Sequence, residues 1–400
     1  MIAPQPFFEP RGTPFSELHR IRALTALGHQ VDLVTYPFGN DVEVPGLRIF
    51  RCARPPFVRR VKVGPSLAKI PLDLQLMLTA LRRVVAERYD AVHSHEEGGL
   101  IGVVLAAAMR VPHLYDMHSS LPQQLANFAF TGSPIVRRVF LGIERLMIRR
   151  SRVVIVICPS LEDTVRAIDP AAQVILIENA PGSADGVATP AHVAAVREAF
   201  GLGASTPVVL YTGTFEAYQG LELLFAAMAL VRNHRPDARL LLAGGQPDQV
   251  RRAQVQAQAA GIGDVTLFAG ERPASDIPAY LLAADVLVSP RSRGTNTPLK
   301  IYQYLRSGKA IVATRLLTHT QVLGDDTAFL TGISAAEFAD GILAAIGNPV
   351  RAAAVGRRAR ELAQTKYSYD AYLEHTRRAC DALGVSEAPE APGRDVKDVA

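Results

Sequence analysis

Between Ser289 and Thr314 the chain reads SPRSRGTNTPLKIYQYLRSGKAIVAT, which groups Arg291, Arg293 and Lys300 around one loop. The apolar run Asp285 to Ser289 predicts a buried strand. Arg291 to Thr297 is a polar, Gly-containing loop, and Pro298 sits where a first helical residue would. Free amides at such a helix end, helped by the helix dipole, attract anions, and the three cations add to the attraction. Gly308 and Lys309 close the helix and Ala310 to Thr314 opens the next strand. The whole segment is expected to be a phosphate-binding βαβ unit, with Thr297, Pro298 and Leu299 at the helix entrance.

Three more clusters could do chemistry. His118 follows the strand-like HLYDM and precedes Ser119 and Ser120; its imidazole can bond a sugar hydroxyl or a phosphate, or serve as a satisfied structural histidine. Asp116, still inside the strand, is suited to orient its neighbours. HSHEEGG at 93–99 gathers His93, His95, Glu96 and Glu97. These are metal-ligand types, and they equally suit an acceptor-side wall or a stabilised loop. Gly213, which ends the run VVLYT, and Gly12 in PRGTPF both allow close backbone approach to a ligand. The helix after Gly12 and Thr13 is expected to open at Pro14, and an ordinary βα turn is the plainer alternative.

The elements that must position these residues alternate between short apolar runs and helix-length amphipathic segments, the signature of parallel α/β architecture. Strands are expected near Val31–Thr35, Ala91–His93, His113–Met117, Val153–Cys158 and Val174–Ile177. A second set is expected near Val208–Thr212, Leu240–Ala243, Val265–Phe268, Asp285–Ser289 and Ala310–Thr314. MIAPQ enters directly as the end of a first strand, so either that strand is very short or the native start lies upstream. A Gly- and Pro-rich stretch at 181–205 reads as the crossing between domains 1–180 and 206–367. Residues 368–384 form a capped helix candidate, and the tail 385–400, without apolar periodicity, is expected to be disordered.

With 400 residues the chain exceeds what one hydrophobic core usually serves. Three scattered cysteines make neither a disulfide framework nor a zinc site, which fits a reducing cytosol. No cleavable signal precedes the first motif, and no uncharged apolar run reaches the ~20 residues of a membrane span. Charge is uneven: residues 1–180 carry 21 Lys and Arg against 16 Asp and Glu, and the remainder 22 against 22. In the segment 134–150, Ile135, Val139, Ile143, Leu146 and Met147 share one helical face, with Arg137, Arg138, Arg145 and Arg149 largely on the other. Such a helix either closes a core with a solvated rim or rests on anionic lipid. Nucleic acid is not expected, since no recognition motif is present and Trp is absent.

The ordered set PRGTPFSELHRIRALTALGHQVDLVT, YDAVHSH, PHLYDMHSS, VVLYTGTFEAYQG and TPLKIYQYLRSGK resembles the family 4 glycosyltransferases of the GT-B fold, over roughly residues 1–380. The resemblance implies two Rossmann-like parallel-sheet domains facing across a cleft. The first is acceptor-side and the second binds a nucleotide-diphosphate sugar, with a final helix returning to the first domain. It places Gly12, Thr13, Gly213, Thr214, Arg291, Arg293, Thr297, Pro298, Leu299 and Gln303 at the donor, His118 and Lys300 at the reacting centre, and His95, Glu96 and Ser119 on the acceptor side. It also implies a retaining, metal-independent transfer in which the leaving phosphate takes the acceptor proton, with no bound cofactor beyond the donor itself. The chain departs from the family pattern at Thr214 and Gln219, where relatives carry Arg and Lys, and at Thr295 and Gln303, where they carry the two Glu of E-x7-E. The expected function is transfer of a sugar to an acceptor in cell-surface glycan, glycolipid or glycoside synthesis, by a cytoplasmic protein that can sit on the inner face of the plasma membrane. The alternatives are other GT-B chemistry and a non-catalytic nucleotide-sugar-binding or partner protein.

Overall fold

The computed structural model describes residues 1–9, 12–59, 61, 64, 66–127, 133–179 and 188–385. They fall into two compact units, Met1–Glu178 joined by the chain from Tyr372 onward, and Asn179–Ala371.

In the first unit seven strands lie in the order β3-β2-β1-β4-β5-β6-β7. They are β1 Ile2–Ala3, β2 Val31–Thr35, β3 Leu47–Arg51, β4 Val92–His95, β5 His113–Met117, β6 Val153–Val156 and β7 Val174–Leu176. The second unit holds β8 Val208–Thr212, β9 Arg239–Ala243, β10 Thr266–Gly270, β11 Val286–Ser289, β12 Ala310–Thr314 and β13 Phe329–Thr331, in the order β10-β9-β8-β11-β12-β13. Every pairing is parallel. Central strands such as β8 and β12 are buried from end to end, so they read as continuous apolar runs, as expected for strands covered on both faces. Each fully buried Leu or Val, among them Leu210, Leu241, Leu287 and Val312, contributes about 1.5–3 kcal/mol through its removal from water.

Both sheets begin in the middle and wind outward. Right-handed crossovers therefore place α1 (Gly12–Ala26) on one face of the first sheet and α2 (Lys69–Ala86), α3 (Gly99–Met109) and α4 (Leu121–Asn127) with α5 (Pro134–Arg150) on the other. The winding reverses between β1 and β4 and between β8 and β11.

Several boundaries move. Strand β1 has two residues, and β3 and β13 add an edge to each sheet that the apolar pattern did not announce. Helix α1 starts at Gly12 rather than Pro14, which the first turn tolerates because its amides have no helical acceptor; Pro10 and Arg11 lie outside the described residues. The helix expected to open at Pro298 starts at Lys300: Leu299 is its cap, and the Pro298 and Leu299 carbonyls accept from the amides of Ile301 and Tyr302 in a tight turn. The stretch 181–205 includes a helix, Pro190–Ala199, capped by Thr189, which packs in the second unit against Ile277–Ala283; residues 180–187 lie outside the described set. The tail beyond residue 385 is outside it as well. The face read on α5 splits: Met147 and Ile148 are buried, whereas Ile135 (70% exposed), Val139 and Leu146 point to solvent.

One glycine holds the loop after β11 in place. Gly220 has φ +78°, and a Cβ there would lie 2.0 Å from the Pro290 carbonyl oxygen. Gly220→Ala is expected to cost about 2 kcal/mol or more, from the left-handed backbone and the displaced carbonyl together. Equilibrium denaturation of wild type and variant measures it.

Candidate functional site

Ligands of doubly wound sheets bind beyond the carboxyl ends of the strands where the winding reverses, because no crossover covers that gap. The sequence-derived candidates sit at these two places.

In the second unit β8 is followed by Gly213 (φ +130°) and β11 by Pro290 and Arg291. The Lys300 side chain, fully enclosed, lies 3.6 Å from where a Gly213 Cβ would stand and 3.7 Å from the centroid of the Tyr211 ring. Among the described residues it makes no ion pair, and its Nζ has no hydrogen-bond partner. Burial, and next the neighbouring Arg291, push its pKa well below that of a free lysine. Arg291 stacks over Tyr218 at 5.0 Å and donates from one Nη to the Asn296 carbonyl at 2.7 Å and the Thr318 hydroxyl at 3.0 Å. Its Nε, the Thr297 hydroxyl and the Gln219 side-chain carbonyl are likewise buried without a partner among the described residues. A buried amine, a guanidinium N–H and a hydroxyl, all held in place and lacking a carboxylate, form a site for an anion with several oxygens. Tyr211 also fixes the turn, donating its hydroxyl hydrogen to the Thr214 carbonyl at 2.6 Å.

Not every donor-side candidate joins this group. Arg293 and Gly213 are exposed, Thr214, Leu299 and Gln303 are half-buried, and Pro298 is buried. Tyr211 and Tyr218, which hold the two cations by their ring faces, carry no signal of their own in the sequence, one sitting in an apolar strand and the other in the short turn Ala217–Gln219.

In the first unit β4 and β5 bring His93, His95, Asp116 and His118 together. Asp116 Oδ2 accepts from Arg20 Nε at 3.0 Å and lies 3.3 Å from His93 Nε2, while His95 Nδ1 and His118 Nε2 share a hydrogen bond of 3.0 Å. Arg20 reaches across from α1, also donates to the Thr376 hydroxyl at 3.0 Å, and lies over the Tyr372 ring. Burial alone would raise the Asp116 pKa; Arg20, with His118 and His93, outweighs it and holds the carboxyl well below the usual range. Burial pushes the three imidazoles down, furthest for His95, so all are neutral at pH 7. His93, His95 and Asp116 bring three potential ligand atoms within 4.8 Å of one another, but Arg20 already supplies the positive charge that a cation would bring.

Beside this cluster Glu96 accepts from the Ser119 hydroxyl at 3.1 Å and from Gln124 at 2.8 Å, so His95, Glu96, His118 and Ser119 do form one wall. Burial, and next Glu97, push Glu96 up. Glu17, fully buried and bonded to Gln5, is raised well above the usual carboxylate range, first by burial and then by Asp116. Gly12, exposed and with open space where a Cβ would stand, and the half-buried Thr13 begin α1 nearby in the chain.

Comparison with known proteins agrees with this fold. Residues 18–180 match the model of the glycosyl transferase 4-like domain and residues 206–348 that of the glycosyl transferases group 1. The D-inositol 3-phosphate glycosyltransferase of Pseudarthrobacter chlorophenolicus is 27% identical over 326 residues, 77% of this chain and 76% of that protein. Sucrose-phosphate synthase from Thermosynechococcus elongatus superposes with a TM-score of 0.78 at 22% identity, over 96% of this chain and 98% of its own. Anabaena HepE, in complex with UDP and glucose, does so with a TM-score of 0.73 at 18% identity and the same coverages.

Two outcomes follow for Lys300. Lys300→Met removes a buried amine with no hydrogen-bond partner among the described residues, so the melting temperature should hold or rise while affinity for inorganic pyrophosphate falls about 10- to 100-fold, the usual worth of a charged hydrogen bond. In wild type, an anion that binds the ammonium form must draw a proton onto an amine whose pKa is lowered in the free protein. Affinity should therefore decline as pH rises above that lowered value, and titration calorimetry in two buffers of different ionisation heat should show proton uptake.

Proposed function

The chain belongs to the family 4, group 1 glycosyltransferases of the GT-B fold, and from that premise we propose that it is a retaining, metal-independent transferase moving a sugar from a nucleotide-diphosphate donor to a hydroxyl acceptor. The observation that carries the reading is Lys300: an enclosed amine beside Gly213 and Arg291, with no carboxylate among the described residues to neutralise it. A leaving diphosphate supplies the missing negative charge. As the glycosidic bond breaks, charge grows on the phosphate oxygen, and fixed cations in a site of low dielectric stabilise that growth without reorganising. The phosphate oxygen then takes the acceptor proton, so no protein base is required. Here Lys300 and Arg291, held by Tyr211 and Tyr218, replace the Arg and Lys that Thr214 and Gln219 displace; with the charge supplied by side chains, a metal is unnecessary.

The wall of His95, Glu96, His118 and Ser119 is the acceptor side of this reading, rich in groups that bond hydroxyls. The products we assign are cell-surface glycans, glycolipids or glycosides. Thr295 and Gln303 favour one competing reading, a nucleotide-sugar-binding protein without turnover. Gln303 can bond ribose hydroxyls through its amide but offers no charged acceptor.

An anionic bilayer is the further partner in this proposal, and its support is the outward face of α2, α3 and α5. Ile70, Leu74, Leu78, Leu81 and Val85 run along α2 at helical spacing and are all exposed, as are Leu100 and Val104 on α3 and Ile135, Val139 and Leu146 on α5. Helix α3 packs against both of the others. The acids within these helices are turned inward: Asp73 to the Tyr36 hydroxyl, and Glu144 to Ser120 and the Leu121 amide. The exposed charges, among them Arg82, Arg137, Arg138, Arg145 and Arg149, are positive. A cationic apolar face suits anionic lipid and repels a second copy of itself. Among the described residues no helix is long and apolar enough to cross a membrane.

Two measurements test the proposal. In a thermal-shift panel of UDP-, GDP-, ADP- and dTDP-sugars, one nucleotide should raise the midpoint selectively, and with acceptor supplied, turnover should vanish in Lys300→Ala; binding without turnover in wild type would establish the non-catalytic reading. In co-sedimentation, phosphatidylglycerol vesicles should retain the protein and phosphatidylcholine vesicles should not, with retention lost in a Leu74→Glu, Leu78→Glu double variant.

A further inference from the structure

Three backbone carbonyls of the loop after β11 are held by side chains of one neighbouring segment, the end of β12 and the short helix Leu317–Thr320 with the residue that caps it. The Arg291 carbonyl accepts from the Thr314 hydroxyl, the Asn296 carbonyl from the Thr318 hydroxyl and the Thr295 carbonyl from the Gln321 side-chain amide, each at 2.6 Å. The Thr318 oxygen also accepts from Arg291 at 3.0 Å, so one buried hydroxyl fixes both the loop backbone and the guanidinium. In a trans peptide unit the carbonyl and the N–H of the next residue point in opposite directions. With the carbonyls of Arg291, Thr295 and Asn296 turned toward this segment, the amides of Ser292, Asn296 and Thr297 are turned away from it. Ser292 shows where that direction leads: its N–H reaches the carbonyl of Tyr218, in the turn after β8, whose ring carries Arg291. The amide side of the loop is therefore the side of the anion site, and the carbonyl oxygens, which would repel an anion, are drawn to the other.

His319, fully buried, seats this segment against the sheet. Its Nδ1 lies 2.8 Å from the Thr314 carbonyl oxygen, which can only accept, so Nδ1 carries the hydrogen; Nε2 then offers its lone pair to the Ser289 hydroxyl at 2.8 Å. The imidazole thereby joins the last residue of β11 to the last residue of β12 and fixes the short helix over both strand ends. Burial pushes its pKa down to about 3, so the ring stays neutral and keeps this bonding pattern at ordinary pH. We propose that Thr318, His319 and Gln321 are positioning residues for a diphosphate: they touch the loop rather than the anion, hold its carbonyls out of the site and aim Arg291 into it. That the diphosphate belongs to a sugar donor rests on the function proposed above; the brace and its effect on anion affinity do not.

Calorimetric titration of the full chain with inorganic pyrophosphate tests the brace. Thr318→Val keeps the shape of the side chain and removes the hydroxyl, which releases the Asn296 carbonyl and takes an acceptor from Arg291. Affinity should fall about tenfold in a variant that still melts cooperatively, and Thr318→Ser, which keeps the hydroxyl, should restore it. A purely structural role would lower the melting temperature and leave the affinity of the folded protein at the wild-type value; that result, or a wild type that binds no pyrophosphate, overturns the proposal. Because Thr318 is buried, Gln321→Met at a half-buried position serves as a second variant and should also weaken pyrophosphate binding. If Thr318→Val does not fold, wild-type affinity in Gln321→Met overturns the proposal. A chain whose variants behave as expected, yet which transfers no sugar from any donor, would sink the proposed function and leave the brace standing.

Discussion

A parallel sheet that starts in its middle must send the crossover that leaves its first strand and the one that leaves the strand on its other side to opposite faces, and the loops that leave the middle strands then diverge. In the first sheet this happens between β1 and β4, in the second between β8 and β11. The strand ends there are the one place where the backbone of a doubly wound sheet is not roofed by a helix. The chemically equipped residues of this chain depend on that gap. Gly213 and Arg291 leave β8 and β11, His95 and Glu96 end β4, and His118 follows β5, the neighbour of β4.

The two gaps handle buried charge in opposite ways. In the first unit the Asp116 carboxylate is paired with Arg20, and three neutral imidazoles pack around it, so the charge is closed within the protein. Breaking that pair by Asp116→Ala would strand a guanidinium, a change that typically costs about 3–5 kcal/mol. In the second unit Lys300 is enclosed with an aromatic face and another cation but, among the described residues, no acid, so the positive charge stays open. A closed pair rigidifies a wall; an open cation needs a ligand. With uncharged Thr214 and buried Gln219 in the turn after β8, the electrostatic burden falls on Lys300 and Arg291. Their tyrosine platforms then matter, because a ring face steadies a cation without neutralising it.

The outward faces of α2, α3 and α5 obey a further constraint. Each helix has one buried stripe, such as Leu72, Leu76 and Ala80 on α2, that closes the core below. A second apolar stripe on the same helices is exposed among the described residues. Helices that cover a sheet need one apolar face, and these carry more than the fold requires.

Much of this was legible in the chain because it is local. Apolar runs with Gly, Pro and polar breaks announced eleven of the thirteen strands to within a few residues, the very short β1 among them, and the turn residues Gly213, Gly308 and Pro298 marked where strands and helices change over. The strands that escaped notice are the ones that burial does not make apolar: β3 is half-buried at an edge and carries Arg48 and Arg51, and β13 has three residues. The start of the helix at Lys300 escaped because a carbonyl accepting from three residues ahead is a tertiary preference of the loop that Arg291 pins, and Pro298 fits either arrangement. By itself the sequence determined the parallel α/β architecture and the loops that bear the site, since helical and strand periods and turn chemistry act over a few residues. Tertiary structure alone decided the electrostatics: Arg20 meets Asp116 across 96 positions, Lys300 finds the Tyr211 ring rather than a carboxylate, and the apolar face of α5 turns half outward. Burial and pairing of charges are set by which strands lie side by side, and no local pattern encodes that.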